Sequence, residues 1–197
     1  MQLMLIGMIV CAVAVAKQSS NKIVLPEHDV QAAIAFLLGK RAEYGFSGDI
    51  VLLGASAGAH LALLQGYKHT DQVQPKAIIS FFGPTDLEYL YHHPGYPAIP
   101  NLLATIAGAT PQQNKPLYQS YSPVSFVTAS SAPTLLLQGT ADLLVPPAQA
   151  SRLANRLKEA GVTHEVVMYN GAGHGWTGAN LADSFNKIVS FLQTNVP

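Results

Sequence analysis

The stretch Ile50–Leu64, IVLLGASAGAHLALL, constrains this chain more than any other. Four apolar residues, Ile50 to Leu53, have the length and branching of a buried strand. They run into Gly54-Ala55-Ser56-Ala57-Gly58, and His60 to Leu64 then reads as a buried helix. Strand, sharp turn and helix around G-x-S-x-G is the setting of a nucleophile elbow. Only small residues fit two positions either side of such a serine, and Gly54 and Gly58 stand there. The serine is expected in a strained backbone conformation, its hydroxyl above the strand and the next N–H at a helix N-terminus.

Further strands and helices alternate on both sides of this element. Leu25-Pro26-Glu27 opens a helix with Val30, Ala33, Ile34 and Leu37 on one face, ending near Gly45. Lys76–Phe82, Thr134–Gln138 and His164–Tyr169 read as strands. A helix begins at Pro146-Pro147, buries Ala150, Leu153, Ala154 and Leu157, and stops at Gly161. The last helix uses Leu181, Phe185, Ile188 and Leu192. Between Thr85 and Ser131 lies an irregular stretch with short helices over 102–107 and 111–118. This order calls for an α/β fold with a doubly wound, mainly parallel sheet. Ligands then bind beyond the carboxyl ends of the strands. Residues 1–197 read as one domain, with a small cap-like insertion around 85–131.

The apolar fraction of 49% excludes a disordered chain, and 197 residues suffice for a substantial core. Eleven basic and eleven acidic residues cancel without forming blocks, which argues against a nucleic-acid partner. Cys11 is the single cysteine, so the chain forms no internal disulfide. Leu3–Ala16 is nearly all apolar and ends in Ala14-Val15-Ala16, a cleavage-like pattern, but it lacks a basic leading region. It is also short for a bilayer span. We read Met8–Val15 as a buried parallel strand, with cytoplasmic localisation and no stable membrane insertion. If residues 1–16 are a signal peptide instead, the protein is secreted or periplasmic.

A serine hydroxyl needs an adjacent base, and the base an orienting acid. Asp142 follows a strand in Gln138-Gly139-Thr140-Ala141-Asp142, and His174 follows the last one in Asn170-Gly171-Ala172-Gly173-His174-Gly175-Trp176. Both therefore belong at the sheet edge that carries Ser56. The order Ser56, Asp142, His174 is that of an α/β-hydrolase. Asp86 also follows a strand, but equally suits a helix N-cap. His60, one helical turn beyond Ser56, runs away from the hydroxyl and reads as a packing or hydrogen-bonding residue. His92-His93 lack further ligands at metal-like spacing and read as exposed cap residues, so no metal is expected.

The segments LPEHDVQAAIAFL, LLGASAGAHLALL, PTLLLQGTADLLVPPAQA and YNGAGHGW resemble the α/β-hydrolase superfamily, in its carboxylesterase and prolyl-oligopeptidase-like branch. There the acid stands in an HG-x-x-D-x-x-VP-like context, matched here by Gln138 to Pro146. The resemblance implies a serine carboxylic-ester hydrolase without cofactor, in which Ser56 attacks, His174 moves the proton and Asp142 orients the imidazole. It implies Ala57 N–H as one oxyanion donor, and Leu143, Leu144 and Trp176 as an apolar wall. The Tyr89, Tyr91 and Tyr96 region would form the small cap, and its shortness points to small, short-acyl esters as substrates. Homo-oligomerisation is left open. A peptidase of the prolyl-oligopeptidase kind is disfavoured, because those enzymes rely on a large extra domain.

Two departures from the pattern stand out. The His-Gly-Gly loop that supplies a second oxyanion donor is absent from the sequence, and one donor is worth about 10²–10³ in rate. A second donor would come from the loop near Lys17–Ser20, from water or from a partner chain. The strand preceding that loop is also missing, so the chain looks N-terminally shortened or rearranged. An empty place in a parallel sheet leaves backbone groups unpaired, so the N-terminal segment is expected to pair directly with the elbow strand. The rival reading is a truncated or degenerate hydrolase fold that binds a ligand or partner with little turnover.

Overall fold

The computed structural model describes residues 8–10, 27–71 and 73–196. Five parallel strands form one sheet in the order β1-β2-β3-β4-β5. They are β1 (Met8–Val10), β2 (Val51–Ala55), β3 (Ala77–Phe81), β4 (Thr134–Gly139) and β5 (His164–Tyr169). β1 pairs directly with the elbow strand, with Met8 opposite Val51 and Val10 opposite Leu53. The rest of the expected strand, 11–15, the cleavage-like pattern and the loop 17–20 lie outside the described residues.

The strand order decides where the helices go. Right-handed crossovers between successive neighbours place every intervening helix on the same face. Accordingly α1 (Glu27–Gly39), α3 (Ala57–Lys68) and α7 (Ala148–Glu159) share one face, where Ile34, Leu63, Leu153 and Leu157 pack with Ile50, Leu52, Ile78 and Leu136. The opposite face is covered by α8 (Gly178–Asn195), whose Ile188, Phe191 and Leu192 meet Val51, Ile79, Phe81, Leu135 and Leu137. The alternation within a strand is visible in β4, where Leu135 and Leu137 face α8 and Leu136 faces α7. The central runs β2, β3 and β4 are largely apolar on both faces, as a parallel sheet covered on both sides requires, whereas the edge strand β5 exposes Glu165 and Met168.

Phe185 differs from its expected place on the buried face of α8. It is 50% exposed, and Ser184 occupies the buried position instead. The Ser184 hydroxyl accepts from Trp176 Nε1 at 2.8 Å and donates to Asn180 O. The helix is therefore rotated to satisfy an indole N–H rather than to bury a second phenyl ring.

The helix opened by Glu27 ends at Gly39 and is followed by a short turn, α2 (Arg41–Tyr44), capped by Gly45 at φ 70°. Between β3 and β4 run α4 (Leu87–His92), α5 (Ile99–Ala107), α6 (Lys115–Ser120) and a 3₁₀ turn over Pro123–Phe126. Two of these begin later or earlier than the sequence suggests. Asn114 caps α6 by accepting from Leu117 N, which moves its start past Pro111, and the Pro at its first turn fits there. α5 starts three residues early, on Ile99-Pro100. Among the described residues no helix is long and apolar enough to cross a membrane.

Candidate active site

The elbow is built by a close approach of two glycines. A Cβ on Gly54 would overlap the Gly58 carbonyl and lie 2.5 Å from Ala59 N, so the strand enters the helix only with hydrogen at that position. Ser56 sits between them at φ 53° and ψ −122°, a region costly for any residue with a side chain. Its N–H is held by Phe81 O at 2.9 Å, so β3 clamps the strained residue. Its own carbonyl accepts from His60 N, the first bond of α3. Ala57 opens that helix and is exposed, and its N–H has no intrahelical acceptor.

His174 stands at the tip of a tight reversal. Gly173 and Gly175 bridge each other across it, and Gly175 takes φ 102°. The reversal lies against the end of β4: Ala141 N donates to Ala172 O at 2.9 Å, and Gly171 N donates to Thr140 Oγ1 at 2.8 Å. A Cβ on Gly139 would collide with the carbonyl oxygens of Ala172 and Gly173. The glycine that ends the strand is what lets the two loops touch.

The structure brings Ser56, His174 and Asp142 into one hydrogen-bonded line. His174 Nε2 is 2.8 Å from Ser56 Oγ, and His174 Nδ1 is 2.8 Å from Asp142 Oδ2. A carboxylate only accepts, so Nδ1 carries the proton and Nε2 is left to accept from the serine. Asp142 Oδ1 accepts from Leu144 N and Val145 N, each at 2.9 Å, and its side chain is wholly buried. Burial alone would raise its carboxyl pKa. The hydrogen bond from His174 and those from the Val145 and Leu144 N–H groups outweigh it and hold the pKa below the ordinary Asp value.

Asp86 lies elsewhere. It caps α4 by accepting from Tyr89 N at 2.9 Å and pairs with Arg152, whose Nη2 is 2.7 Å from its Oδ2. His60 is buried and bonds Pro84 O through Nδ1 at 3.0 Å, away from the serine oxygen. His92 and His93 are exposed at the end of α4, and His93 stacks on Tyr89. Among the described residues no three His, Cys, Asp or Glu side chains come together as a metal site. Tyr89 also carries the Arg152 guanidinium on its face, Tyr91 packs edge-on against Tyr118, and Tyr96 is 51% exposed.

An apolar cavity of about 230 Å³ is lined by Leu53, Ala55, Phe81, Phe82, Gly175, Trp176 and Leu181, so that it adjoins Ser56 and His174 through their chain neighbours Ala55 and Gly175. Among the described residues, α8 packs over β3 and β4 and leaves the end of β2 partly open. Trp176 therefore lines a cavity, whereas Leu143 and Leu144 are exposed at 62% and 42% and do not. The wall residue that sequence reasoning missed is Phe82, whose ring lies 4.6 Å from the His174 ring and 5.2 Å from Trp176. Its φ of 42° turns it out of β3 just before Gly83-Pro84. That Gly-Pro pair is the one sequence signal of an abrupt exit from the strand. The helix residue Leu181 and strand residue Leu53 gave no signal beyond core periodicity.

A positive-φ serine between strand and helix, on a parallel sheet whose later loops bring an imidazole and a carboxylate to it, defines an α/β-hydrolase fold and site. The chain belongs to the BD-FAE family, whose model matches residues 2–157. Ser56 and Asp142 fall inside that region and His174 beyond it. The chain is 30% identical over 165 residues to the esterase LipQ of Mycobacterium tuberculosis, covering 76% of this chain and 38% of LipQ. Among solved structures it is similar to Thermogutta terrifontis esterase 2 phosphonylated by sarin, with TM-score 0.74, 27% identity, and coverage of 90% of this chain and 70% of that one. The same esterase with butyrate bound matches at TM-score 0.69 and 28% identity, over 88% and 66% of the two chains. This chain spans less than half the length of the curated relatives it matches.

Proposed function

We propose that this chain is a serine carboxylic-ester hydrolase that acts on small, short-acyl esters. The observation that carries the reading is the line Ser56 Oγ, His174 imidazole, Asp142 carboxylate, with both contacts at 2.8 Å. Ser56 Oγ bonds to the ester carbonyl carbon as its proton passes to His174 Nε2. The carbonyl oxygen becomes the oxyanion, and Ala57 N–H faces it at the helix N-terminus. Collapse breaks the bond to the alkoxy oxygen, which takes the proton from Nε2 and leaves as the alcohol. Water then adds to the acyl-Ser56 carbonyl, giving its proton to Nε2. The second collapse returns that proton to Ser56 Oγ and frees the carboxylic acid. Asp142 keeps the proton of Nδ1 in place throughout.

The short-acyl preference is supported by the cavity beside Ser56. Its 230 Å³ lies below the roughly 300–1,000 Å³ of sites for drug-sized ligands. The similarity to an esterase solved with butyrate bound points the same way. A panel of p-nitrophenyl esters of increasing chain length, run on wild type and Ser56→Ala, tests both statements. Acetate to butyrate should be turned over best, and Ser56→Ala should abolish turnover. Turnover that survives Ser56→Ala overturns the assignment.

A second reading, in which the fold binds an ester or a partner and turns over little, makes a different prediction. A fluorophosphonate separates the two, because only an activated serine reacts with it.

A further inference from the structure

Gln138 is 1% exposed near the end of β4, and its amide nitrogen has three neighbours. They are Val145 O at 3.0 Å, Asp142 Oδ2 at 3.1 Å and Gly139 O at 3.2 Å. All three only accept, so the amide has one allowed orientation, since a flip would set an oxygen against three oxygens. The other end of the amide, Oε1, is buried and has no partner among the described residues. An orphaned buried acceptor is unfavourable, and an apolar side chain of this size would avoid it. The donor end is the one whose partners the fold supplies.

What it contributes is legible at Asp142. Oδ1 takes the Leu144 and Val145 N–H groups, and Oδ2 takes His174 Nδ1–H and the Gln138 amide. Four donors fill the roughly four lone-pair sites of a carboxylate. Three of them cannot be replaced without moving backbone or the base itself, and Gln138 is the fourth. Its second N–H goes to Val145 O at 3.0 Å and ties the end of the acid loop back to β4.

We infer that Gln138 is a positioning residue: it fixes the plane of the Asp142 carboxylate on the oxygen shared with His174, and so the aim of the imidazole at Ser56. Its kinetic readout rests on the esterase reading above, but its effect on the His174–Asp142 hydrogen bond does not.

The test compares Gln138→Met, which keeps the length and has no donor, with Gln138→His, whose ring N–H lies the same number of bonds from the backbone. On a short aryl ester, Gln138→Met should lower kcat at least about tenfold, less than the ~10⁴ lost when an acid becomes its amide. KM should stay unchanged, and Gln138→His should recover most of the loss. The downfield proton resonance of His174 Nδ1–H should be sharp in wild type, weakened or lost in the Met variant and present in the His variant. A role confined to stability would lower Tm while leaving kcat per titrated site and the resonance unchanged, which overturns the inference. If wild type turns nothing over, the esterase reading falls and the resonance alone decides on Gln138. If only the His variant folds, near-wild-type kcat and resonance support the inference, and a tenfold loss with the resonance gone overturns it.

Discussion

His174 Nε2 lies 2.8 Å from Ser56 Oγ although 118 positions of sequence separate the two residues. They leave strands that are not neighbours, since β3 and β4 stand between β2 and β5. The gap is closed by the reversal 171–175, which leans over the end of β4 against Gly139. Gly139→Ala should therefore push Ala172 and Gly173 away and take His174 with them. We expect a loss of about 1–3 kcal/mol in stability from the overpacking, together with a fall in kcat of more than about tenfold. Urea unfolding and steady-state kinetics on one preparation measure both. A variant that is destabilised but fully active per folded molecule would show that the contact does not place the base.

The two carboxylates that follow strands should separate cleanly. Asp142→Asn keeps the shape but forces the wrong tautomer on His174, and kcat should fall by about 10⁴. Asp86→Ala removes a helix cap and the Arg152 pair, and should cost about 1 kcal/mol in stability while leaving kcat within a few-fold. Chemical denaturation and ester turnover of both variants decide, and a large kcat loss in Asp86→Ala would reverse the roles.

Much of this arrangement was legible before any coordinates. The elbow announces itself because a turn that tight tolerates only Gly54 and Gly58, and Asp142 and His174 are placed by the simple fact that each follows a strand. The pairing of β1 with the elbow strand follows from the cost of a vacant place in a parallel sheet. What was not legible depends on side-chain packing between distant elements. Leu143 and Leu144 look like a wall because they adjoin Asp142, yet the acid loop turns them outward to let its N–H groups reach Oδ1. Leu181 enters the cavity from α8, whose buried face is set by the Trp176–Ser184 bond, and Phe82 enters it through a positive φ that only Gly83-Pro84 hints at. Gln138 reads as the end of a strand and the first position of the acid motif without a role of its own, since its acceptors come from the loop that follows.

If the cavity beside Ser56 holds the acyl chain, Leu181→Trp should fill it from the α8 side. Butyrate turnover should drop at least about tenfold relative to acetate, in line with the 1–3 kcal/mol by which a pocket discriminates small apolar increments. A chain-length series on the variant reads this as a change in the kcat/KM ratio. An unchanged ratio would place the acyl chain elsewhere.

Two of the buried groups that shape the response to acid are His60 and Asp142. Burial holds the His60 imidazole below its ordinary pKa of 6.5, with the Pro84 carbonyl only partly opposing. The unfolded chain thus binds a proton near that pH that the folded one refuses, and stability declines as the pH falls below about 6.5. Asp142 has a lowered folded pKa, so its contribution is complete above the unfolded value near 3.9 and is lost as the pH falls through the lower folded one. Thermal unfolding across pH should show a flatter profile for His60→Gln below about pH 6.5 than for wild type. Parallel profiles would mean that His60 takes its proton without opposing the fold.

The most direct measurement is intact-mass spectrometry after treatment with a fluorophosphonate. Wild type should gain one phosphonyl group, mapped to Ser56, with loss of fluoride; Ser56→Ala should gain none, and His174→Ala should react far more slowly. An unlabelled wild type, or equal labelling of Ser56→Ala, would contradict the claim that these three side chains activate that oxygen.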